Sequence, residues 1–458
     1  MGNMMTLSGI ILLAVLTTHV FSKALKASDI VFVVLSQSDT YHSELALSLR
    51  RDILHQASIL TKDPPVVRLS HEELNHHGAW TIIPILSTLQ VHDGANSTWI
   101  IFCEERTRFN LKKLLLILSK YDSTEEQWLG HRLSDKEPSI IHHFVLPDSP
   151  DFVEYPLFAS GFAMSTALIN SFADRAKNKT STDFSMDAAQ ELAMFIRIPL
   201  VHLPSSFCLQ NKPECASYPL PFQPCGELVP KDDIYFAVKT CLKFHKDRIP
   251  VVKDTWGENA KHIEYFSDYK DENIPTTVVN VPNVNTGHCS KTFTIFKLIL
   301  ERAKDLPNLR WLFLADDDTI LSVSRLQSLL TCWRNEEVVL GERYGYNIYS
   351  ELGYNYVTGG GGTAIHISLL PSIVTHCQCI KDNFPDDMYL GYCLSRLGIQ
   401  VVHSPLFHQA RPTDYSKSYL ATQFPVSFHK HWMVDPIAVY KEWFSSDDNP
   451  LPSQHIEL

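Results

Sequence analysis

The chain has 458 residues, 45% of them hydrophobic and 20% charged, which is ordinary globular composition and more length than one core usually spans. Its formal net charge of -11, with no block of Lys and Arg, excludes a nucleic-acid-binding surface.

Leu7 to Val20 is an apolar run of secretory length, and Val20-Phe21-Ser22 offers a cut before Lys23. Residues 1–22 are therefore expected to be a signal peptide. No Lys or Arg precedes the run, so an uncleaved anchor is the alternative, although the run falls short of the roughly 20 residues a span needs. No later segment is apolar enough to cross a bilayer, so no stable span is expected after cleavage. Asn96-Ser97-Thr98 and Asn178-Lys179-Thr180 are glycosylation sequons, and the ten cysteines of a lumenal protein should be mostly disulfides. The closest pair, Cys377-Gln378-Cys379, lacks zinc-site spacing, and the pairing cannot be read from sequence. The tail at 455–458, His-Ile-Glu-Leu, resembles an endoplasmic-reticulum retention signal, which implies a retention receptor as partner and residence in that lumen.

Short β-rich runs alternate with amphipathic helical stretches, the pattern of parallel α/β sheets. Expected strands are Ile30–Leu35, Trp99–Cys103, Ile234–Val238 and Trp311–Ala315. A Pro- and Cys-rich stretch at 204–230 reads as a linker, or else as a disulfide-stapled loop, between residues 23–203 and 231–454. The two arrays echo each other at separations of 201 to 212 positions: Asp29–Val34 with Asp233–Val238, Trp99–Thr107 with Trp311–Thr319, and Leu200–Pro204 with Val401–Pro405. A degenerate duplication is expected. Where the second copy has Asp316-Asp317-Asp318, the first has Glu104-Glu105-Arg106, and the arginine puts positive charge where a cation needs a carboxylate. The N-terminal copy is expected to be non-catalytic.

The aspartate run closes an apolar strand, which places carboxylates at the edge where open α/β folds bind ligands. Hard oxygen ligands suit Mn²⁺ or Mg²⁺ bridging to a nucleotide diphosphate. Gly359 to Gly362, flanked by the strand-like segments Tyr354–Val357 and Thr363–Ile367, let backbone approach a ligand closely. Asp386-Asp387 precede an expected helix, Met388–Leu397, either as caps or as a catalytic carboxylate. His403 and His408 follow the expected strand Gln400–Val402.

In this order the motifs resemble the fringe family of β1,3-glycosyltransferases over residues 230 to 440: Ala237-Val238-Lys239-Thr240, Phe244-His245 with Arg248, Asp254-Thr255-Trp256, Ser267-Asp268, the aspartate run, the glycines, Pro385-Asp386-Asp387 and Phe407-His408. The resemblance implies two GT-A-like, Rossmann-like α/β domains with the C-terminal one catalytic, a UDP-sugar donor and a Mn²⁺ ion. It implies Asp318 and His408 as metal ligands and Thr240, Arg248, Asp268, Asp316, Asp317, Gly360 and Gly361 as donor contacts. Asp387 is implied as the catalytic base with Asp386 supporting, although the sequence barely separates the two. The extra N-terminal half and the tail resemble the branch of the family that adds glucose from UDP-glucose to O-linked fucose. Fucosylated thrombospondin type 1 repeat proteins are then the expected acceptors.

Overall fold

A computed structural model of the protein describes residues 25–74, 76–134, 153–179 and 184–450. The expected signal peptide and retention tail lie outside the described residues. No helix among the described residues is long and apolar enough to cross a membrane.

Two mixed sheets organise the chain. The first contains β1 (Ile30–Leu35), β2 (Val66–Leu69), β3 (Trp99–Glu104), β4 (Trp128–Gly130), β5 (Phe162–Ser165) and β6 (Val201–His202), in the order β6-β4-β5-β3-β1-β2. The second contains β7 (Ile234–Lys239), β8 (His262–Ser267), β9 (Thr277–Val278), β10 (Trp311–Asp316), β11 (Val339–Gly341), β12 (Thr363–His366) and β13 (Val401–His403), in the order β9-β8-β7-β10-β12-β11-β13. Without its edge strand β9, the second sheet repeats the first in order and direction. The central strands β1 and β7 pair in parallel with β3 and β10, and β5 and β12 run antiparallel to those. Fully parallel sheets were the expectation. In each half the antiparallel strand is entered from a short loop, 158–161 or 359–362, and lies alongside the strand that carries the acids.

Register agrees too: Ile30 faces Trp99 and Leu35 faces Glu104, as Ile234 faces Trp311 and Lys239 faces Asp316. These central strands read as near-continuous apolar runs because helices cover both faces. Trp99, Phe102, Trp311 and Phe313 are 0–1% exposed.

Part of the stretch expected to be a linker is sheet. Ser217–Pro219 pairs with Thr107–Phe109 of the first half, while Cys225 is bonded to Cys332 of the second. Strand Phe184–Ser185 also crosses between the halves and pairs with Arg343–Tyr346. The remaining disulfides are Cys208–Cys215, Cys289–Cys379 and Cys377–Cys393, leaving Cys103 and Cys241 free. Cys377 and Cys379 thus serve two separate bridges, one to helix Asp386–Arg396 and the other to helix Cys289–Arg302. Asn96 and Asn178 are exposed, as sugar acceptors must be.

Candidate active site

Strand β10 delivers Asp316 to the carboxyl edge of the second sheet, and a tight turn carries Asp317 and Asp318 before the chain re-enters strand at Thr319. Three adjacent carboxylates need compensation, since each buried charge costs several kcal/mol if left alone. Three basic side chains provide it: Lys239 beside Asp316, and then Arg248 and His429. Arg248 Nη1 lies 2.7 Å from Asp317 Oδ1 and 3.0 Å from Asp318 Oδ2. His429 Nε2 lies 3.1 Å from Asp318 Oδ1 and 4.0 Å from Asp316 Oδ2. Burial alone would push the Asp318 carboxyl up, but the His429 hydrogen bond and charge, with Arg248, hold it well below the usual carboxylate range. Asp317 is raised to about 6, by burial first and then by the Asp318 charge, although it accepts from Thr240 Oγ1 at 2.7 Å and from Arg248.

Among the described residues, Asp316, Asp318 and His429 form the group suited to a metal ion, with ligand atoms within 4.8 Å of one another. His429 Nδ1 is 2.9 Å from the Gln409 carbonyl, which fixes the tautomer and turns Nε2 toward the acids. Carboxylate oxygens with one imidazole fit a hard or borderline divalent cation.

His408, expected as a ligand, lies elsewhere. It is fully buried, with Nδ1 3.1 Å from the Ser427 carbonyl and Nε2 2.8 Å from Gln423 Oε1. Burial lowers its pKa to about 4, and its nitrogens face Ser427 and Gln423 rather than the acids. His429 stands in the cluster instead because strand Ser427–His429 pairs with Thr319–Leu321, setting His429 opposite Thr319, one residue past the acids.

The glycines explain themselves by packing. A Cβ on Gly360 would sit 2.2 Å from His429 Nδ1, and one on Gly362, at φ +89°, 2.3 Å from the Phe313 ring. Gly361 donates its N–H to Gln409 Oε1 and a Cβ there would crowd the His408 backbone, so its polar groups face protein. Gly359 N–H reaches Asp387 Oδ2 at 3.3 Å. Asp387 and His429 therefore flank one four-residue loop.

Asp386 and Asp387 open helix Asp386–Arg396 rather than capping it from outside; Pro385 is the N-cap. Their surroundings differ. Asp386 accepts from Lys239 Nζ at 2.6 Å and from Thr292, and these hold its carboxyl down against the effect of burial. Lys239 also reaches Asp316 at 3.0 Å and so ties the helix to the strand end. Among the described residues Asp387 accepts from two backbone donors, Met388 N–H and Gly359 N–H, and both burial and the Asp386 charge push it up. Asp268, at the end of β8, accepts from Leu242 N–H at 2.9 Å beside Thr240. Sequence reasoning gave no role to Lys239, His429 or Lys291, which is 7% exposed and donates to the Thr240 carbonyl. The signal for Lys239 was its place at the end of the strand paired with the aspartate strand.

Residues 229–457, which hold every member of this cluster, match the Fringe-like family. Along nearly the whole chain there is similarity to "Beta-1,3-glucosyltransferase" of Mus musculus, 45% identical over 438 residues, covering 94% of this chain and 89% of that one. The Homo sapiens protein of the same name is 45% identical, covering 93% and 87%. "Beta-1,3-N-acetylglucosaminyltransferase lunatic fringe" of Danio rerio is 27% identical over 255 residues, covering 50% of this chain and 68% of its own. The chain belongs to the fringe-like family of β-1,3-glycosyltransferases.

Proposed function

We propose that the protein is an inverting, cation-dependent β1,3-glucosyltransferase of the endoplasmic-reticulum lumen that moves glucose from UDP-glucose onto O-linked fucose of thrombospondin type 1 repeats. The observation that carries this reading is the Asp316–Asp318–His429 cluster facing Asp387 across the glycine loop. The whole-length similarity to β-1,3-glucosyltransferases supports glucose as the sugar. The matching strand order supports a degenerate duplication with the catalytic half at 231–454.

Asp316, Asp318 and His429 would hold Mn²⁺ or Mg²⁺, which supplies charge neutralisation for a departing diphosphate. Arg248, Thr240 and Asp268 line the same edge and orient the donor, and Asp317 fixes Arg248. Asp387, its two oxygens aimed by backbone N–H groups, takes the proton from the fucose 3-hydroxyl as that oxygen attacks the anomeric carbon. The bond to UDP breaks in the same displacement, converting the α-linked donor sugar into a β1,3 product. Lys239 neutralises Asp386 and keeps helix Asp386–Arg396 in register with the strand end.

The test offers purified protein UDP-glucose, UDP-galactose or UDP-N-acetylglucosamine with Mn²⁺ and fucosylated or unfucosylated repeats. Transfer of glucose to the fucosylated repeat alone is expected. Transfer of another sugar reassigns the donor, and no turnover on any pairing leaves a lectin or chaperone that has kept a transferase fold.

A further inference from the structure

We infer that the first half retains a ligand site of its own, a cavity at the topological counterpart of the active site that binds a single neutral sugar ring without turning it over.

The correspondence can be followed atom by atom. Thr107 Oγ1 donates to the Ala159 carbonyl as Thr319 Oγ1 donates to that of Gly360. Ser217 Oγ donates to the Ser160 carbonyl as Ser427 Oγ donates to that of Gly361. Gly161 and Gly362 both take positive φ, +72° and +89°. Pro219 pairs with Thr107 as His429 pairs with Thr319. Each of the three cation-cluster positions is thereby changed: Asp316 to Glu104, Asp318 to Arg106 and His429 to Pro219. Arg106 is committed to the Leu220 carbonyl at 2.8 Å.

The space in front of this edge has not collapsed. A cavity of about 200 Å³ remains, with Glu104, Glu105, Ala159 and Asp187 on its walls and Arg343 reaching in from the second half. Decay of a disused site toward close packing would have filled it, because interiors lose stability with every void. Its volume is below the roughly 300–1,000 Å³ of sites for drug-sized ligands, so it suits one ring and not a nucleotide sugar. The loss of all three cation positions argues the same way.

The wall chemistry is that of a polyhydroxylated neutral ligand. Tyr41, Phe158 and Tyr415 line it and are only half-buried, offering ring surface to a C–H face. Glu105 is 7% exposed, with one oxygen 3.4 Å from His42 Nε2, and its other oxygen is not engaged by that contact. Burial first and the Glu105 charge second raise Glu104 to about 7, so near neutrality its carboxyl both donates and accepts. Arg343 also lines the cavity and adds a guanidinium to its polar wall, with Nη1 3.3 Å from Gln37 Oε1.

The test is saturation-transfer NMR on the full chain with methyl α-L-fucopyranoside and, separately, methyl β-D-glucopyranoside, in chelator and without UDP-sugar. A saturable signal from at least one sugar is expected. Glu105→Gln should weaken it about tenfold, the worth of a hydrogen bond to a buried charged group. Ala189→Phe, which fills the cavity from helix Ala188–Ile196, should abolish it. Both variants should bind UDP with Mn²⁺ as the parent does. No signal from either sugar overturns the inference, and so does a signal that survives both variants, which would locate the sugar in the active site. Should Ala189→Phe lose UDP binding, its fold is disturbed and Glu105→Gln decides. These outcomes do not depend on transfer activity, so a failed glucosyltransferase assay and a failed sugar site remain distinguishable.

Discussion

The carboxyl edges of β3 and β10 start from the same backbone and end in opposite electrostatic states. At the second edge, Lys239, Arg248 and His429 surround the acids, and Asp318 is driven strongly acidic. At the first edge, Leu35 stands where Lys239 stands and Pro219 where His429 stands, and Glu104 rises to about 7. The fold is thus compatible with an acidic strand end in either state. What makes a cation-ready cluster is the set of partners brought in from other elements, Lys239 and His429 from strands and Arg248 from the start of a short helix. The first edge has Leu35 and Pro219 at the two strand positions.

The largest effect comes from moving the second edge toward the first. Asp318→Ala should reduce Mn²⁺-dependent transfer to background, measured as UDP release with and without acceptor. His429→Ala should do nearly the same and raise the Mn²⁺ concentration needed for half-maximal rate. His408→Phe, which keeps an aromatic ring and removes both nitrogens, should keep the cation requirement unchanged even where it costs stability. A His408 variant that loses Mn²⁺ affinity while the His429 variant keeps it would reverse the assignment made from geometry.

Next in size is Asp387→Asn, which keeps shape but cannot take a proton. Its kcat should fall roughly 10²–10⁴-fold, the usual worth of a general base, with UDP affinity little changed. Asp386→Asn breaks the Lys239 contact at 2.6 Å and should instead loosen helix Asp386–Arg396, seen as a lower thermal midpoint together with a smaller loss of rate.

Local signals in the sequence marked the strands well: Ile30–Leu35 is a strand to the residue, and Trp311–Ala315 is one residue short. Strand ends bearing acids, and the contrast between Glu104-Glu105-Arg106 and Asp316-Asp317-Asp318, were equally legible because both are properties of contiguous residues. The histidine was not. Phe-His occurs at 244–245, 407–408 and 428–429, and the pairing of Ser427–His429 with Thr319–Leu321 decides which ring meets the acids. Likewise, Asp386 and Asp387 are neighbours in sequence and are separated in role by Lys239, 147 positions away, and Thr292, 94 away. The glycine run was read as making room for a ligand, whereas at Gly360 and Gly362 it makes room for His429 and Phe313.

Gly360→Ala turns that last point into a measurement. The counterpart in the first half is already alanine, Ala159, tolerated where Pro219 replaces the histidine ring. In the second half the new methyl would meet His429 Nδ1, and the ring cannot retreat while Gln409 and Asp318 hold both nitrogens. Overpacking of this kind costs about 1–3 kcal/mol. A drop of that size in denaturant stability is expected, with about tenfold weaker use of Mn²⁺. Unchanged Mn²⁺ dependence would mean that the ring's position matters little.

The smallest effect is a shift in the pH profile. Burial and the Asp386 charge raise the Asp387 carboxyl, while Met388 N–H, Lys239 and Gly359 N–H only partly offset them. A base works when deprotonated, so turnover is present above this raised pKa and is lost as pH falls through it. The acid limb of kcat should therefore lie above the ordinary carboxylate range near 4. Protonation of His429 also threatens activity on the acid side, because a proton there competes with the cation. The two limbs part company under titration: more Mn²⁺ moves a limb set by His429 to lower pH and leaves one set by Asp387 in place. Asp386→Asn removes the neighbouring negative charge and leaves Lys239 with Asp316 as its acidic partner, its positive charge less fully offset. Both changes favour the deprotonated form of Asp387, so the limb should move to lower pH. A limb that moves up in Asp386→Asn, or that follows Mn²⁺ all the way to saturation, would assign the titrating group to another residue.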